Sequence, residues 1–280
     1  MKNPFYDPKV KINTRTGEQA YRDYLDRTKN EKQAKPVAKK TKATVNTPVS
    51  AEFSLEDLTD FWQVNGVNYR DGIYQIDLAK TLLDNGNNRT QNEWVEYSKK
   101  AIARNEFYVG DFPLYHSLFA ALFRNKENPN YKTKIEEAKR FISDNMFKYW
   151  LMTLTRIEYK PSGKDKVIHN YGMQDQYGIQ EDIVGKGDYI TQINPQNELK
   201  AILGSDNINE INQVYNWITG NNAYLWRVNS KPYNDIECVA WFGASPSRAG
   251  LDCDGSPDGS NRALGVRAKL SEGKNEKSVL

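Results

Sequence analysis

The chain has 280 residues, 38% apolar and 27% charged, a balance that excludes wholesale disorder and is enough for a sizeable core. No run approaches the roughly 20 apolar residues that cross a bilayer, so no membrane insertion is expected, and the polar, proline-bearing stretch Met1–Val10 predicts no secretory signal. Net charge is +3, but six lysines (Lys29, Lys32, Lys35, Lys39, Lys40, Lys42) against Glu31 concentrate positive charge between Thr28 and Asn46, which leaves the rest slightly acidic and excludes a general nucleic-acid surface.

In chain order, residues 1–27 form an amino-terminal arm. Ala20, Tyr21, Tyr24 and Leu25 recur there at helical spacing after Thr16. Residues 28–50, rich in Lys, Ala, Pro and Thr, read as a flexible linker. The folded body is expected over 51–270. Ser54 followed by Asp57 suggests a helix start, with Phe53, Leu55, Leu58, Phe61 and Trp62 behind it. Asn65–Gly72 reads as a polar connection, and Ile73–Ile76 as a short strand. Thr90 with Glu93 three residues on is a capping box, opening a helix whose apolar face is Trp94, Tyr97, Ala101 and Ile102. Phe112–Phe123 reads as a second helix with Pro113 in its first turn. Thr133–Trp150 is a third, with Ile135, Ala138, Phe141, Ile142 and Met146 inward.

Beyond Trp150 the period changes. Leu154–Tyr159 predicts a strand stopped by Pro161-Ser162-Gly163, and Val167–His169 another. Residues 170–195 are Gly- and Asp-rich and read as loop. Glu198–Leu203 is a helical turn, and Ile208–Ile218 a helix closed by Gly220. The last third predicts strands at Ala223–Val228, Cys238–Phe242 and Leu264–Arg267, then a polar tail over 271–280. Between the last two strands lies Gly243–Arg262, rich in Gly, Ser, Asp and Pro. An irregular stretch of about 20 residues inside a folded body is uncommon and often functional.

Candidate chemistry is sparse. Asp252-Cys253-Asp254 suits a hard cation by spacing. The calcium-loop pattern nevertheless fails, with Pro257 where Gly belongs and Ala263 where Glu belongs, so no metal is expected. Gly185-Lys186-Gly187 lacks phosphate-loop spacing and reads as a turn. Asn88-Arg89-Thr90 is a glycosylation sequon but reads as a helix start. His116 and His169 are too few for a histidine-rich zinc site, and His169 reads as structural. Cys238 and Cys253 make no disulfide framework. No catalytic set and no cofactor are expected.

Leu225-Trp226-Arg227-Val228-Asn229-Ser230, Val239-Ala240-Trp241-Phe242 and Ala263-Leu264-Gly265-Val266-Arg267, preceded by Arg89-Thr90, Glu93-Trp94 and Tyr97, resemble the variable proteins of diversity-generating retroelements, particularly those of archaea and their viruses. The resemblance covers roughly 70–270. It implies an α+β body with a C-type-lectin-like fold of the formylglycine-generating-enzyme variant, in which short antiparallel strands are flanked by helices. It also implies a variable region near 236–267, rewritten by error-prone reverse transcription, and a non-enzymatic, ligand-binding function. The contacts it implies are Trp241, as an aromatic anchor, with Gly243, Ser245, Ser247, Arg248, Gly250, Asp252, Asp254, Gly255, Ser256, Asp258, Ser260, Asn261 and Arg262. The implied partner is a protein or glycan on another cell or particle, as in host or cell attachment. The sugar-binding lectin motifs Glu-Pro-Asn, Gln-Pro-Asp and Trp-Asn-Asp do not occur, and Cys238 and Cys253 lack the spacing of the enzyme's active pair. The alternatives are such an enzyme using Cys238 or Cys253, or a structural virion component with no open face around 241–262.

Overall fold

The computed structural model describes residues 52–193 and 195–271, all within one unit, Asn46–Leu280. The expected arm helix, the linker and all but the first residue of the tail lie outside these residues. The body is mixed α+β, with two sheets and flanking helices.

The smaller sheet is antiparallel. It comprises β1 (Ser54–Asp57), β2 (Phe61–Tyr69), β3 (Gly72–Leu82) and, last in the chain, β11 (Leu264–Leu270), in the order β1-β2-β3-β11. The larger sheet has seven strands: β4 (Leu151–Tyr159), β5 (Asp165–His169), β6 (Tyr177–Glu181), β7 (Asp188–Tyr189), β8 (Ala223–Trp226), β9 (Ile236–Ser245) and β10 (Arg248–Gly255). Their order is β6-β5-β4-β9-β10-β8-β7, with β10 parallel to β8 and every other pair antiparallel. Helices α1 (Gln91–Ala103), α2 (Phe112–Arg124) and α3 (Lys132–Lys148) lie between β3 and β4 in the chain, and α4 (Ile190–Ile193), α5 (Gln196–Leu203) and α6 (Ile208–Thr219) between β7 and β8.

Local chemistry sets the helix ends. Thr90 and Glu93 form the expected capping box at α1. Asp111 caps α2 through the Leu114 N–H, with Pro113 in the first turn. Gly220 ends α6 at φ 74°, a left-handed conformation only glycine adopts freely.

The main core lies on one face of the large sheet. The Phe242 ring meets Phe112 at 4.2 Å, with Tyr115, Phe119 and Tyr215 around it. A smaller core forms on the opposite face, where Trp94 and Val95 of α1 pack with Met152, Leu154, Val239 and Trp241. Arg156 ties α1 to that face. It is buried, yet donates to Gln91, Asn92, Tyr171 and Glu237 at 2.6–3.0 Å, which satisfies its charge.

Several expectations are corrected. Residues 53–62 are not helical but enter β1 and β2. The two-residue alternation of Trp62 and Val64 is broken by a bulge before Val67, with Gly66 at φ 73°, so the period is hidden. The polar connection 65–72 lies mostly within β2, the short strand at 73–76 is the start of the eleven-residue β3, and the loop 170–195 contains β6, β7 and α4. Ile102 faces solvent, while Val95 and Ser98 complete the buried side of α1. The strands are neither uniformly short nor uniformly antiparallel, as β3 and the β8–β10 pair show.

Trp94 Nε1 donates to the Asn261 carbonyl at 2.8 Å from a fully buried ring. Trp94→Phe should therefore lose about 1–2 kcal/mol in urea denaturation. An unchanged midpoint would show that this contact does not hold the helix to the carboxyl-terminal segment.

Candidate functional site

The stretch 243–262, expected as irregular, is largely a hairpin. Strand β9 runs to Ser245, and β10 returns from Arg248 to Gly255. The loop-like composition has a simple cause. Ala249, Leu251 and Cys253 point into the main core, while the alternate residues Arg248, Gly250 and Asp252 point to the other face, and a bulge after Asp252 then resets the period. Gly, Ser and Asp at the outward positions look like loop chemistry and mask the alternation.

Register then builds rows across the outer face. Met152, Trp241, Asp252 and Trp226 align across β4, β9, β10 and β8. Gly243, Gly250 and Tyr224 form the next row, and Ser245 and Arg248 a third. Trp150, just before β4, stands 50% exposed and meets Trp241 edge-on at 5.3 Å. Trp150 thus flanks this face on one side and Tyr224 and Trp226 on the other, with Gly243 and Gly250 between them. Helix α1 covers the neighbouring part of this face, where Trp94 and Val95 pack with Met152, Val239 and Trp241.

Asp252 is the unusual residue. It is 2% exposed, and its Oδ1 has no hydrogen-bond partner. A Cβ on Gly250 would lie 3.0 Å from that oxygen, and one on Gly243 would lie 3.8 Å from Oδ2 and 3.7 Å from Trp150. The carboxyl thus lies over these glycines beside Trp150. Burial, reinforced by Asp254, pushes its pKa up to about 8, while Arg248 and the Trp241 indole pull the other way. The Trp241 Nε1 is itself buried and unpaired.

Among the fourteen residues singled out from sequence, the strands bring Trp241, Gly243, Ser245, Arg248, Gly250 and Asp252 to one face, while Asp254 is exposed at the bulge of β10. Ser247 is exposed in the β9–β10 turn. The others follow β10. Ser256, Asp258 and Ser260 are exposed, whereas Gly255 is buried against the Trp241 ring. Asn261 and Arg262 are half-buried and largely committed within the fold. The Asn261 backbone pairs with Arg89, and Arg262 bonds Gly86 while its guanidinium lies 3.7 Å from the Tyr149 ring centre. Trp241, Gly243, Gly250, Asp252 and Gly255 are buried rather than projecting. Trp150, Tyr224 and Trp226 flank the face and were not singled out, since exposed aromatics carry no mark in a sequence.

The remaining candidates have structural partners. His169 is buried between Thr155 and the Ala201 carbonyl, and burial lowers its pKa to about 4. His116 stacks on Tyr215 beside a cavity of about 270 Å³ lined also by Arg70, Arg124 and Tyr177. Both cations there are engaged, Arg70 with Asp175 and Arg124 with Glu210. Cys238 and Cys253 are free and buried in the core, and burial pushes the Cys238 thiol up to about 11 and Cys253 well above the ordinary range. Among the described residues, no group of three or more His, Cys, Asp or Glu is arranged to hold a metal, and no helix is long and apolar enough to cross a membrane.

Comparison with protein-family models, curated proteins and solved structures returns no match.

Two predictions follow from the geometry. Asp252 titrates near 4 when unfolded and near 8 when folded, so folding holds its proton. Its contribution is intact below about pH 4 and is lost as pH rises through 8, at about 1.4 kcal/mol for each unit of separation. Asp252→Asn should therefore gain on the wild type between pH 5 and pH 8 in denaturant titrations, and parallel profiles would remove the unpaired carboxylate. Gly255→Ala should cost about 1–3 kcal/mol, because its Cβ would fall 2.7 Å from both the Trp241 ring and the Val239 carbonyl. The exposed neighbour Ser256→Ala should stay within about 0.5 kcal/mol, and equal losses would contradict the packing.

Proposed function

We propose that this chain is a non-enzymatic ligand-binding protein, and that the outer face of β9, β10 and β8 is its contact surface. The carrying observation is the alternation along the hairpin. Outward residues Gly243, Ser245, Arg248, Gly250 and Asp252 share one face, with Ser245 and Arg248 partly exposed on it, while Phe242, Ala244, Ala249, Leu251 and Cys253 pack into the main core. Such an arrangement lets contact residues change while the inward set keeps the fold. Half-buried and exposed aromatics around Gly243 and Gly250 give that face anchors of the kind that dominate contact energy.

The same alternation supports a display surface of the retroelement-diversified type, on a C-type-lectin-like scaffold of the formylglycine-generating-enzyme variant. The order of elements accords with it: a capped helix carrying Trp94 comes early, and a Gly-Val-Arg strand, the last among the described residues, lies beside β3. An open face around 241–262 argues for recognition over a purely structural role. The buried thiols, held protonated, argue against copper or redox chemistry. A protein or glycan ligand on another cell or particle fits this reading.

The test is natural sequence variation. Sequencing the 3′ end of the gene across its source population should find substitutions at 243, 245, 248, 250, 252 and 254. Phe242, Ala244, Leu251 and Cys253 should stay constant, and a near-copy of the segment should lie beside a reverse transcriptase. Substitutions spread equally over inward and outward positions, or none, would overturn the display reading.

A further inference from the structure

We propose that the cavity of about 270 Å³ between α2, β2, β6 and the end of α5 is a second binding site, and that it takes a small organic oxyanion, the carboxylate or phosphate group of a small molecule. None of these elements belongs to the contact face of β8, β9 and β10, so the inference stands apart from that reading.

Three observations carry it. The first is the make-up of the wall. The guanidinium groups of Arg70 and Arg124 line the cavity with Asn68, His116 and Ser117, and no Asp or Glu lines it. The acids that pair with the arginines lie outside the lining and take only part of each fork. Arg124 uses Nε and Nη2 on Glu210 at 2.6 and 2.8 Å and keeps Nη1. Arg70 meets Asp175 at 3.2 Å, and its hydrogen bond to the Asp175 carbonyl is a long one of 3.5 Å. A guanidinium has five N–H donors and no acceptor, so the wall holds donors in excess. An oxyanion brings acceptors and compensating charge together.

The second is His116, which is 3% exposed. Its Nδ1 lies 3.4 Å from the Tyr215 hydroxyl. Burial keeps that hydroxyl protonated, so it donates to Nδ1, and the hydrogen of the imidazole is assigned to Nε2. Burial also keeps the ring neutral, with its pKa lowered to about 4. Nε2 has no partner among the described residues, and it is not among the polar atoms sealed without one. What access the ring has is to the cavity it lines, and an unpaired N–H donor stands there.

The third is the backbone at Arg70. Residues 70 and 71 form the turn between β2 and β3, and Arg70 adopts φ 51°. Glycine or asparagine takes that conformation with less strain. The strained turn aims a guanidinium 4.1 Å above the Tyr177 ring of β6, at the cavity wall. Arg70 and Arg124 keep access to solvent, so the cavity opens on their side and closes at His116. Its volume exceeds what a bare inorganic ion fills, and Pro113, Ala120 and Leu203 offer apolar wall to a carbon skeleton.

The experiment titrates the full chain in a calorimeter with inorganic phosphate, with D-glucuronate and with the neutral, near-isosteric D-glucuronamide, and follows the histidine ring N–H signals by NMR. The expected result is saturable one-to-one binding of phosphate, glucuronate or both, with glucuronamide at least tenfold weaker. Phosphate alone identifies a phosphate ligand, glucuronate alone a carboxylate, and both an oxyanion read without regard to its carrier. Arg70→Gln and Arg124→Gln should each weaken binding at least tenfold, with near-ultraviolet dichroism confirming the fold. Arg124 is half exposed, so its variant keeps the test decisive if Arg70→Gln unfolds. Arg140→Gln removes the same charge from an exposed position of α3 and should stay within twofold of the wild type. The His116 Nε2–H signal should move on saturation. No saturable binding of either anion, equal binding of glucuronamide, equal losses in Arg140→Gln and Arg124→Gln, or a stationary His116 signal would overturn the proposal. The contact surface on β8, β9 and β10 is judged by natural variation and stands or falls separately.

Discussion

Three residues, Asn261 to Ala263, hold the two sheets in one architecture. The sheets share no strand, so the chain must leave β10 in one and reach β11 in the other. Along that passage the backbone pairs with three separate elements. Asn261 exchanges bonds with Arg89 at 3.0 and 3.1 Å, at the entry to α1. The Arg262 carbonyl accepts from Met152 at 2.7 Å, at the start of β4, and the Ala263 carbonyl accepts from Leu83 at 3.0 Å, beyond β3. Trp94 adds its indole bond to the Asn261 carbonyl. These three pairings are main-chain and make little demand on side-chain identity, while the Arg262 side chain adds its bond to the Gly86 carbonyl. That constraint sets where Trp241 and Trp150 stand, because β4 and β9 are neighbours and Gly255 and Gly259 of the same passage close over the Trp241 ring.

The outer face is built against local stability. Gly243 and Gly250 sit in central strands, where glycine weakens a sheet and packs nothing. Asp252 lies buried beside them without a partner for Oδ1. Two other buried charged groups are well satisfied. Arg156, equally buried, has four hydrogen-bonding partners, and Asp111 is held by Tyr69 and the Leu114 N–H. Asp252 is the one carboxylate among the buried side-chain atoms left without a partner in the described residues, and it lies next to Trp241. Natural proteins tolerate such violations chiefly where an external group completes them.

Helices were legible in the sequence because their ends carry explicit chemistry. The Thr90–Glu93 box, Pro113 and Gly220 each fix one boundary, and all three stand where expected. Strands were legible only where apolar residues were continuous, as in β4 and the middle of β9. Where a bulge resets the period, as at Gly66, the pattern mimics a helix. In β10 the outward residues are Gly and Asp, so the strand mimics a loop. The candidate residues on β9 and β10 were chosen as small and polar, and their alternate spacing at 243 and 245 and at 248, 250 and 252 already carried the strand period. What remained hidden was non-local. Nothing in the sequence places Trp150 beside Asp252, since that depends on the β4–β9–β10 register. Nor does it place Arg156 against Gln91, 65 positions away.

A paired strand suits a changeable surface better than the irregular loop its composition suggests. A loop relies on particular residues for its conformation, so each substitution risks altering it. β10 lies between β9 and β8 with both edges hydrogen-bonded, and its backbone is held whatever side chains it carries. Both edges being occupied has a second consequence. An interior strand offers no free row of N–H and C=O groups, so new outward residues cannot turn it into a template for pairing between molecules. The sheet ends instead in β6 and the two-residue β7, whose Tyr189 hydroxyl donates to the Ser247 carbonyl in the hairpin's turn at 2.8 Å. On the proposed reading, the surface that changes most is the part of the large sheet whose backbone is best defended.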